Sequence, residues 1–214
     1  MNNKMRKCDF SRLAPVYDLL GELAFAGALR RSQTCFTGEL PACRRVLIIG
    51  GGTGGFLIEL LKTKEVDVVD YVDISPGMIK KAREKLQKKC PQFVCKVNFI
   101  CGSVEEVQGQ KYDLICTHYF LDCFSPQELP AIMAGLYLSL NTGGQWLFAD
   151  FTGDTFLKKN LVAFLYKFFK LTAALNAGEL ADFRGEFSKL GVQLCREGFF
   201  AGRLLRAALY KKNE

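Results

Sequence analysis

Short apolar runs alternate with amphipathic stretches along most of this 214-residue chain. Five continuous apolar runs predict buried β-strands, at 44–50, 67–75, 96–102, 112–120 and 143–151. Helical periodicity follows the first, second and fourth of these runs, at 55–64, 75–89 and 125–140. Because strands that alternate with helices form parallel sheets, the pattern predicts a sheet with helices on both faces.

The end of the chain departs from this alternation. Residues 155–175 carry leucine and phenylalanine at helical spacing among lysines, which predicts an inserted amphipathic helix. Residues 179–191 predict a further helix, and 192–212 predict two strands joined by a glycine-containing turn. A helix is also expected at 10–31, ahead of the first strand.

These elements predict one α/β domain. We expect a Rossmann-like, doubly wound, mostly parallel seven-stranded sheet that ends in an antiparallel hairpin and carries a lid helix. Its parts are a helical cap at 1–43, a ligand-binding core at 44–151, a lid insertion at 152–178, and a closing helix and hairpin at 179–214.

Composition narrows the class of protein and the cellular compartment expected for this domain. Hydrophobic residues make up 49% and charged residues 24%, as in ordinary globular proteins. We expect no membrane span and no signal peptide, because no apolar run is long enough and the first residues lack a continuous apolar segment. Nine scattered cysteines, a single histidine and no CxxC pair favour reduced thiols in a cytoplasm and argue against a metal site.

The net charge of +7 permits anionic partners, with basic clusters at both ends and around 80–89. Solvated helix faces explain such clusters more often. A nucleic-acid partner is disfavoured, because no basic and aromatic strand pattern accompanies the charge.

The densest signal is a glycine run within VLIIGGGTGGFLIELL, at 46–61. Five of the six residues at 50–55 are glycine, directly after the first apolar strand. Glycine permits a tight turn and the close approach of a ligand to the backbone. Since ligands of open parallel sheets bind beyond the carboxyl ends of the strands, this turn predicts a nucleotide-like ligand.

The glycines alone leave the ligand open. Gly50, Gly52 and Gly55 satisfy GxGxxG, and Asp73 ends the next strand where an acid that binds ribose is expected, which is compatible with NAD or FAD. The same run also contains G-x-G-T-G at 50–54. A P-loop is excluded, because no GK[ST] follows.

Three downstream segments resolve this ambiguity. VDISPGMIKKAREKL at 72–86, YDLICTHYFLDCFSPQEL at 112–129 and SLNTGGQWLFADF at 139–151 resemble, in order and spacing, motifs of class I S-adenosylmethionine-dependent methyltransferases. FSRLAPVYDLL at 10–20 is loosely similar to small-molecule methyltransferases of the ubiquinone and menaquinone biosynthesis group.

The resemblance implies S-adenosyl-L-methionine as the cofactor and S-adenosyl-L-homocysteine as the product. The loop glycines would approach its methionine and ribose parts, and Asp73 would accept hydrogen bonds from the ribose hydroxyls. Ile74 and Met78 would offer apolar surface to adenine, although both are equally compatible with an ordinary core. The implied cofactor-binding set is Gly50, Gly51, Gly52, Thr53, Gly54, Asp73, Ile74, Met78, Ser103 and Thr117.

Two positions depart from the family pattern. Ile48 stands where the family commonly has an acid, and Ser103 stands where it often has an aspartate. If the role of the acid expected at position 48 is filled in this chain, another group must fill it. A cofactor-binding domain without transfer activity is an alternative that these changes keep open.

Candidate catalytic residues are few. His118, the only histidine, and Tyr17 are the candidate catalytic residues. His118 would act as a general base, and its alternative is a loop histidine that hydrogen-bonds the backbone or lines the cofactor pocket. Tyr119, Asp122 and Asp150 are weaker candidates.

The expected reaction is in-line methyl transfer to a small, hydrophobic or lipid-like acceptor, with transient membrane contact through 155–175 as an option. A nicotinamide-dependent oxidoreductase is disfavoured, because the chain is too short for a separate substrate domain.

Overall fold

The computed structural model of the protein describes residues 27–152 and 182–213. The helix expected at 155–175 lies outside the described residues, as do Tyr17, most of the helix expected at 10–31 and the start of the helix expected at 179–191.

Seven strands form one mixed sheet. Their order is β3-β2-β1-β4-β5-β7-β6. The first five pair in parallel, whereas β7 pairs antiparallel with both β5 and β6. This confirms the predicted doubly wound sheet and its closing hairpin. The strands are β1 Cys43–Ile49, β2 Val66–Asp73, β3 Val97–Cys101, β4 Tyr112–His118, β5 Leu140–Phe151, β6 Gln193–Phe200 and β7 Leu205–Lys211.

Helices connect and flank these strands. The α-helices within the described ranges are α1 Ala28–Thr34, α2 Gly55–Thr63, α3 Pro76–Lys89, α4 Leu129–Ser139 and α5 Phe183–Lys189. Short 3₁₀ turns occur at Thr37–Glu39, Pro91–Lys96, Val104–Val107 and Leu121–Cys123. Ser75 caps α3 as expected, since its Oγ accepts a hydrogen bond from the Met78 backbone N–H.

Most described boundaries lie within about two residues of the sequence expectation, and the starts of α4 and β5 differ by more. Helix α4 begins at Leu129 rather than at 125, because Pro130 has no N–H to donate to the preceding turn and Ser125 bonds instead to the Glu128 carboxylate. Strand β5 begins at Leu140 rather than at 143, because Leu140 already pairs with Tyr112 across an irregular register.

Alternate strand positions fill a separate core on each face of the sheet. Val46 and Ile48 of β1 pack with α2 and α3 on one face, whereas Leu47 and Ile49 pack with α4 and α5 on the other. Both cores end at the carboxyl edge of the parallel strands, where the glycine loop lies.

Candidate functional site

The glycine loop joins β1 to α2 in a conformation that favours glycine. Gly50, Gly52 and Gly54 have φ angles of 66°, 62° and 80°. The backbone N–H groups of Gly50 and Gly51 both donate to the carbonyl of Val72 on β2, at 2.9 and 3.3 Å. Side chains would strain the loop at the three positive φ angles, so its path depends on glycine.

Close packing explains several of the glycines, but not all. A Cβ atom on Gly51 would lie 2.3 Å from the Tyr71 ring, and one on Gly50 would lie 2.7 Å from Phe120. A Cβ atom on Gly54 would lie 3.0 Å from Ala82. By contrast, a Cβ atom on Gly52 would meet nothing within 4 Å. The Cβ position of Gly52 therefore faces open space.

The Asp73 carboxylate, at the end of β2, fixes the glycine loop by accepting a backbone hydrogen bond from it. Its Oδ2 accepts a hydrogen bond from the Gly52 N–H at 2.8 Å, and its Oδ1 accepts one from the Ser75 N–H at 2.9 Å. Burial raises the pKa of this carboxyl, and the two backbone bonds oppose that rise. Each carboxylate oxygen has a second lone pair, so the side chain can still accept bonds from a ligand.

The two residues expected beside adenine lie in different surroundings. Ile74 directly follows Asp73 and is 41% exposed, which is unusual for a large apolar side chain next to a core strand. Met78 is buried in the first turn of α3. Only Ile74 therefore presents free apolar surface in this structure, and Met78 belongs to the core.

Thr53 and Ser103 both lie near Asp73. The Lys85 ammonium donates to Thr53 Oγ1 at 3.0 Å, which ties the loop to α3. Ser103 caps the short turn at 104–107 through the N–H of Glu105, and the neighbouring Gly102 N–H donates to the Asp73 carbonyl at 3.1 Å. The structure thus brings both residues to the same edge of the sheet.

Thr117 is placed differently from the sequence expectation. Its side chain is fully buried, and its Oγ1 accepts a hydrogen bond from Trp146 Nε1 at 2.9 Å. The hydroxyl is therefore used inside the core rather than at the loop. The face of β4 on which a residue lies decides this, and sequence spacing alone did not reveal it.

His118 is also buried, with 7% of its surface exposed. Its ring contacts Phe56 edge-on, with 4.4 Å between ring centroids. Burial lowers its pKa to about 3, so the ring is neutral near pH 7 and a weak proton acceptor. This environment does not favour the general-base role expected from the sequence.

Two carboxylates lie close together: Asp122 is in the 3₁₀ turn after β4, and Asp150 is near the end of β5. The fully buried Asp150 accepts hydrogen bonds from the N–H groups of Phe151 at 2.9 Å and Asp122 at 3.3 Å. Burial raises the pKa of Asp122 to about 6 and that of Asp150 well above its usual value, which the Asp122 charge raises further. The pair therefore retains protons at a pH where exposed carboxylates have lost them.

Sequence reasoning missed Tyr71 and Phe120 as supports of the loop. The Tyr71 hydroxyl donates to the Gly52 carbonyl at 2.9 Å, and the Phe120 ring packs against Gly50. A tyrosine within the valine-rich strand β2 was the available signal for the first. Nothing in the sequence indicated that Phe120 packs against Gly50.

Comparisons with known proteins give a consistent result. A family profile described as a methyltransferase domain matches residues 47–146. A carboxy-S-adenosyl-L-methionine synthase of Campylobacter curvus is 27% identical over 175 residues, which are 81% of this chain and 69% of that protein. A malonyl-[acyl-carrier protein] O-methyltransferase of Priestia megaterium is 29% identical over 157 residues. That alignment covers 73% of this chain and 54% of the relative, so the chain spans about half of that protein.

Solved structures share the fold at low sequence identity. The N-methyltransferase NodS of Bradyrhizobium japonicum, in complex with S-adenosyl-L-homocysteine, has a TM-score of 0.60 and 14% identity, and the match covers 87% of this chain and 84% of that one. Magnesium protoporphyrin IX methyltransferase of Synechocystis, also with bound S-adenosyl-L-homocysteine, has a TM-score of 0.62 and 19% identity, covering 100% and 89%. In the described ranges, no helix has the length and apolarity needed to cross a bilayer.

Proposed function

We propose that this chain is a class I S-adenosylmethionine-dependent methyltransferase, which transfers a methyl group from S-adenosyl-L-methionine to a small, hydrophobic acceptor. The observation that carries the proposal is the open backbone at Gly52, held in place by the Asp73 carboxylate. The family match decides against the nicotinamide alternative.

The residues at the loop fit each part of this cofactor. The open face of Gly52 accommodates the methionine and ribose part, and the remaining lone pairs of Asp73 suit the two ribose hydroxyls. Ile74 offers its exposed apolar surface to adenine. When bound, the cofactor supplies a methyl group already activated by its positive sulfur, so this chain mainly has to orient the reactants and exclude water.

The nature of the acceptor is inferred from the relatives and from composition. The names of two relatives refer to a malonyl-[acyl-carrier protein] and to demethylmenaquinone as their acceptors. The apolar and aromatic segment at 155–175 favours a hydrophobic or lipid-like acceptor, with transient membrane contact, although this segment lies outside the described residues. The free thiols of the described cysteines support a cytoplasmic location.

A second candidate function is chemical modification of the cofactor itself. The relative named carboxy-S-adenosyl-L-methionine synthase aligns with 81% of this chain, a larger share than the malonyl-[acyl-carrier protein] O-methyltransferase does. Incubation with S-adenosyl-L-methionine, a panel of methyl acceptors and a carboxyl donor, followed by mass spectrometry, separates the two candidates. Methyl transfer leaves S-adenosyl-L-homocysteine, which is lighter than the cofactor by a methyl group, and a methylated acceptor. The second function instead leaves a cofactor that is heavier by a carboxyl group, and the donor loses that group.

The first test is calorimetric titration with S-adenosyl-L-homocysteine, with NADH as the comparison. We expect micromolar binding of S-adenosyl-L-homocysteine alone, weakened at least about tenfold in Asp73→Asn, because the amide NH2 would face one of the two backbone N–H groups that now donate to the carboxylate. Asp67→Asn is the matched control, since Asp67 is exposed on the same strand and should bind as the wild type does.

Three results would contradict the proposal. Binding of NADH instead would identify a different cofactor, and equal binding by both variants would remove Asp73 from the site. Cofactor binding without turnover of a panel of phenol, carboxylic acid, amine and quinol acceptors would favour a domain that has lost transfer activity.

A further inference from the structure

His118 carries a buried nitrogen that the protein leaves unpaired. Its Nε2 has no hydrogen-bond partner within the described part of the chain, although the side chain is more than nine-tenths buried. Buried polar atoms without a partner are rare, because each loses its bonds to water without compensation. An apolar ring would pack against Phe56 without that penalty, so packing alone does not account for a histidine here.

Strand register places this side chain next to the glycine loop. Ile49 of β1 lies beside Thr117 of β4, so the next residue pair is Gly50 and His118. Phe56, in the first turn of α2, contacts the ring where the loop enters that helix. His118 therefore lies at the junction of the loop, α2 and the carboxyl end of β4.

The other side chains on this face offer little to a charged ligand. Side chains alternate between faces, so Ile48 and its register partner Cys116 share a face with His118. Ile48 is apolar and buried, and a buried thiol is a weak hydrogen-bonding group. His118 is thus the strong hydrogen-bonding group among these three residues beneath the loop.

The state of the ring suits a cationic partner. Because burial keeps the imidazole neutral, it does not repel a positive charge. A neutral imidazole carries one N–H group and one lone pair, so it can accept one hydrogen bond. The amino-acid end of the cofactor carries an ammonium group, which is a donor with three N–H bonds.

We propose that His118 binds the cofactor by accepting a hydrogen bond from its α-ammonium group beneath the glycine loop. The proposal rests on the proposed function, since it assumes an S-adenosylmethionine site at this loop. It assigns to His118 a binding role and not that of a base for the acceptor. It also supplies a polar group for the region in which Ile48 provides none.

The test compares ligands that differ at the amino-acid end. S-adenosyl-L-homocysteine carries the ammonium and the carboxylate, decarboxylated S-adenosylmethionine keeps the ammonium without the carboxylate but has a positive sulfur, and methylthioadenosine has neither charged group of the amino-acid end. Each ligand is therefore compared between the wild type and the variant, so that the charge on sulfur is common to both measurements. Each is titrated by calorimetry into the full chain and into His118→Phe, which keeps an aromatic ring against Phe56. We expect the first two to bind about 10- to 100-fold more weakly to the variant, with methylthioadenosine changed less than about twofold.

A second variant protects the test against a folding defect. His118→Asn keeps a carbonyl acceptor, so it should retain more of the affinity for S-adenosyl-L-homocysteine than His118→Phe does. Unchanged binding of methylthioadenosine shows that each variant is folded around the adenosine part.

Several outcomes overturn the assignment. Equal losses for all three ligands would make His118 a support of the loop, and no loss would remove it from the site. A loss for S-adenosyl-L-homocysteine but not for decarboxylated S-adenosylmethionine would place the carboxylate, not the ammonium, at His118. If the wild type binds none of the three, the proposed function itself fails.

Discussion

Gly51 shows how a missing side chain determines the loop at the scale of one residue. The position it would fill with a Cβ atom is taken by the Tyr71 ring, and the Tyr71 hydroxyl bonds to the Gly52 carbonyl. Tyr71 is fully buried, so it cannot swing out into solvent. Loop and strand β2 therefore fit together only when residue 51 is glycine.

Gly51→Ala should consequently lower the free energy of unfolding by about 2 kcal/mol or more, because the added methyl group overpacks a core contact. Urea denaturation followed by circular dichroism measures this. Gly135→Ala is the control, because a Cβ atom there meets nothing within 4 Å and alanine favours helix α4 by up to about 1 kcal/mol. A neutral Gly51→Ala variant would show that the loop can shift to make room.

Individual site residues were predictable from the sequence to different degrees. The glycines and Asp73 were predicted because a turn between a buried strand and a helix restricts which residues fit there. The surroundings of Thr117 and His118 were not, because they depend on Trp146 and Phe56, which lie far away in sequence. The local sequence pattern shows where the backbone requires glycine, whereas tertiary packing determines which side chains can reach a ligand.

At the scale of elements, a polar contact joins α1 to the carboxyl end of the sheet. The hydroxyls of Ser32 and Tyr119 lie 2.5 Å apart, and Ser32 is fully buried. Tyr119 has a φ of 53°, which is unfavourable for a residue with a side chain. Its ring also packs against Phe151 at the end of β5. The strained backbone thus turns a tyrosine toward the helix.

A double-mutant cycle should detect this connection. Ser32→Ala and Tyr119→Phe each remove one hydroxyl, and we expect a coupling free energy of about 1 kcal/mol between them in urea unfolding. Tyr119→Phe paired with Thr63→Ala is the reference cycle, because Thr63 bonds only locally at the end of α2. Additive effects in the Ser32 cycle would show that the contact contributes nothing to stability.

The elements themselves followed the sequence closely, with exceptions that have local causes. Ser75 and Pro76 predicted the first residue of α3 correctly, because helix capping depends on residues that are adjacent in the sequence. The late start of α4 depends on Pro130, which has no N–H to donate, and apolar periodicity carries no information about that missing donor.

For the whole molecule, buried ionisable groups make stability depend on pH in opposite directions. The pKa of His118 is lowered from 6.5 to about 3 by burial, so between these values the unfolded chain binds one more proton than the folded chain. This contribution to stability is lost as pH falls from about 6.5. Asp122 acts in reverse, because burial raises its pKa to about 6 and the folded chain gains the proton first.

Because the chain has one histidine, the contribution of His118 to the pH dependence of the free energy of unfolding can be measured. Between pH 6.5 and pH 5, we expect the free energy of unfolding of the wild type to fall by about 2 kcal/mol relative to that of His118→Phe. Asp122→Asn should shift the profile the other way, with a stability advantage over the wild type that shrinks as pH falls from 6 to 4. Parallel profiles for the wild type and His118→Phe would mean that the ring titrates as in the unfolded chain.

The order of the strands was the part of the architecture that the sequence pattern did not specify. Alternating strands and helices indicated a parallel sheet, but only long-range pairing determines that β4 lies beside β1 and that β7 lies between β5 and β6. These pairings join residues far apart in the chain, where local patterns carry no information.

The interior position of β7 determines when the sheet can be completed during synthesis on the ribosome. Residues 205–211 form the last of the seven described strands along the chain, yet they pair on both sides, with β5 and with β6. Until these residues emerge from the exit tunnel, one edge of β5 has no neighbouring strand and β6 has no strand to pair with. The nascent chain therefore exposes an unpaired sheet edge until β7 has been made, and a premature stop before residue 205 would leave that edge of β5 unpaired.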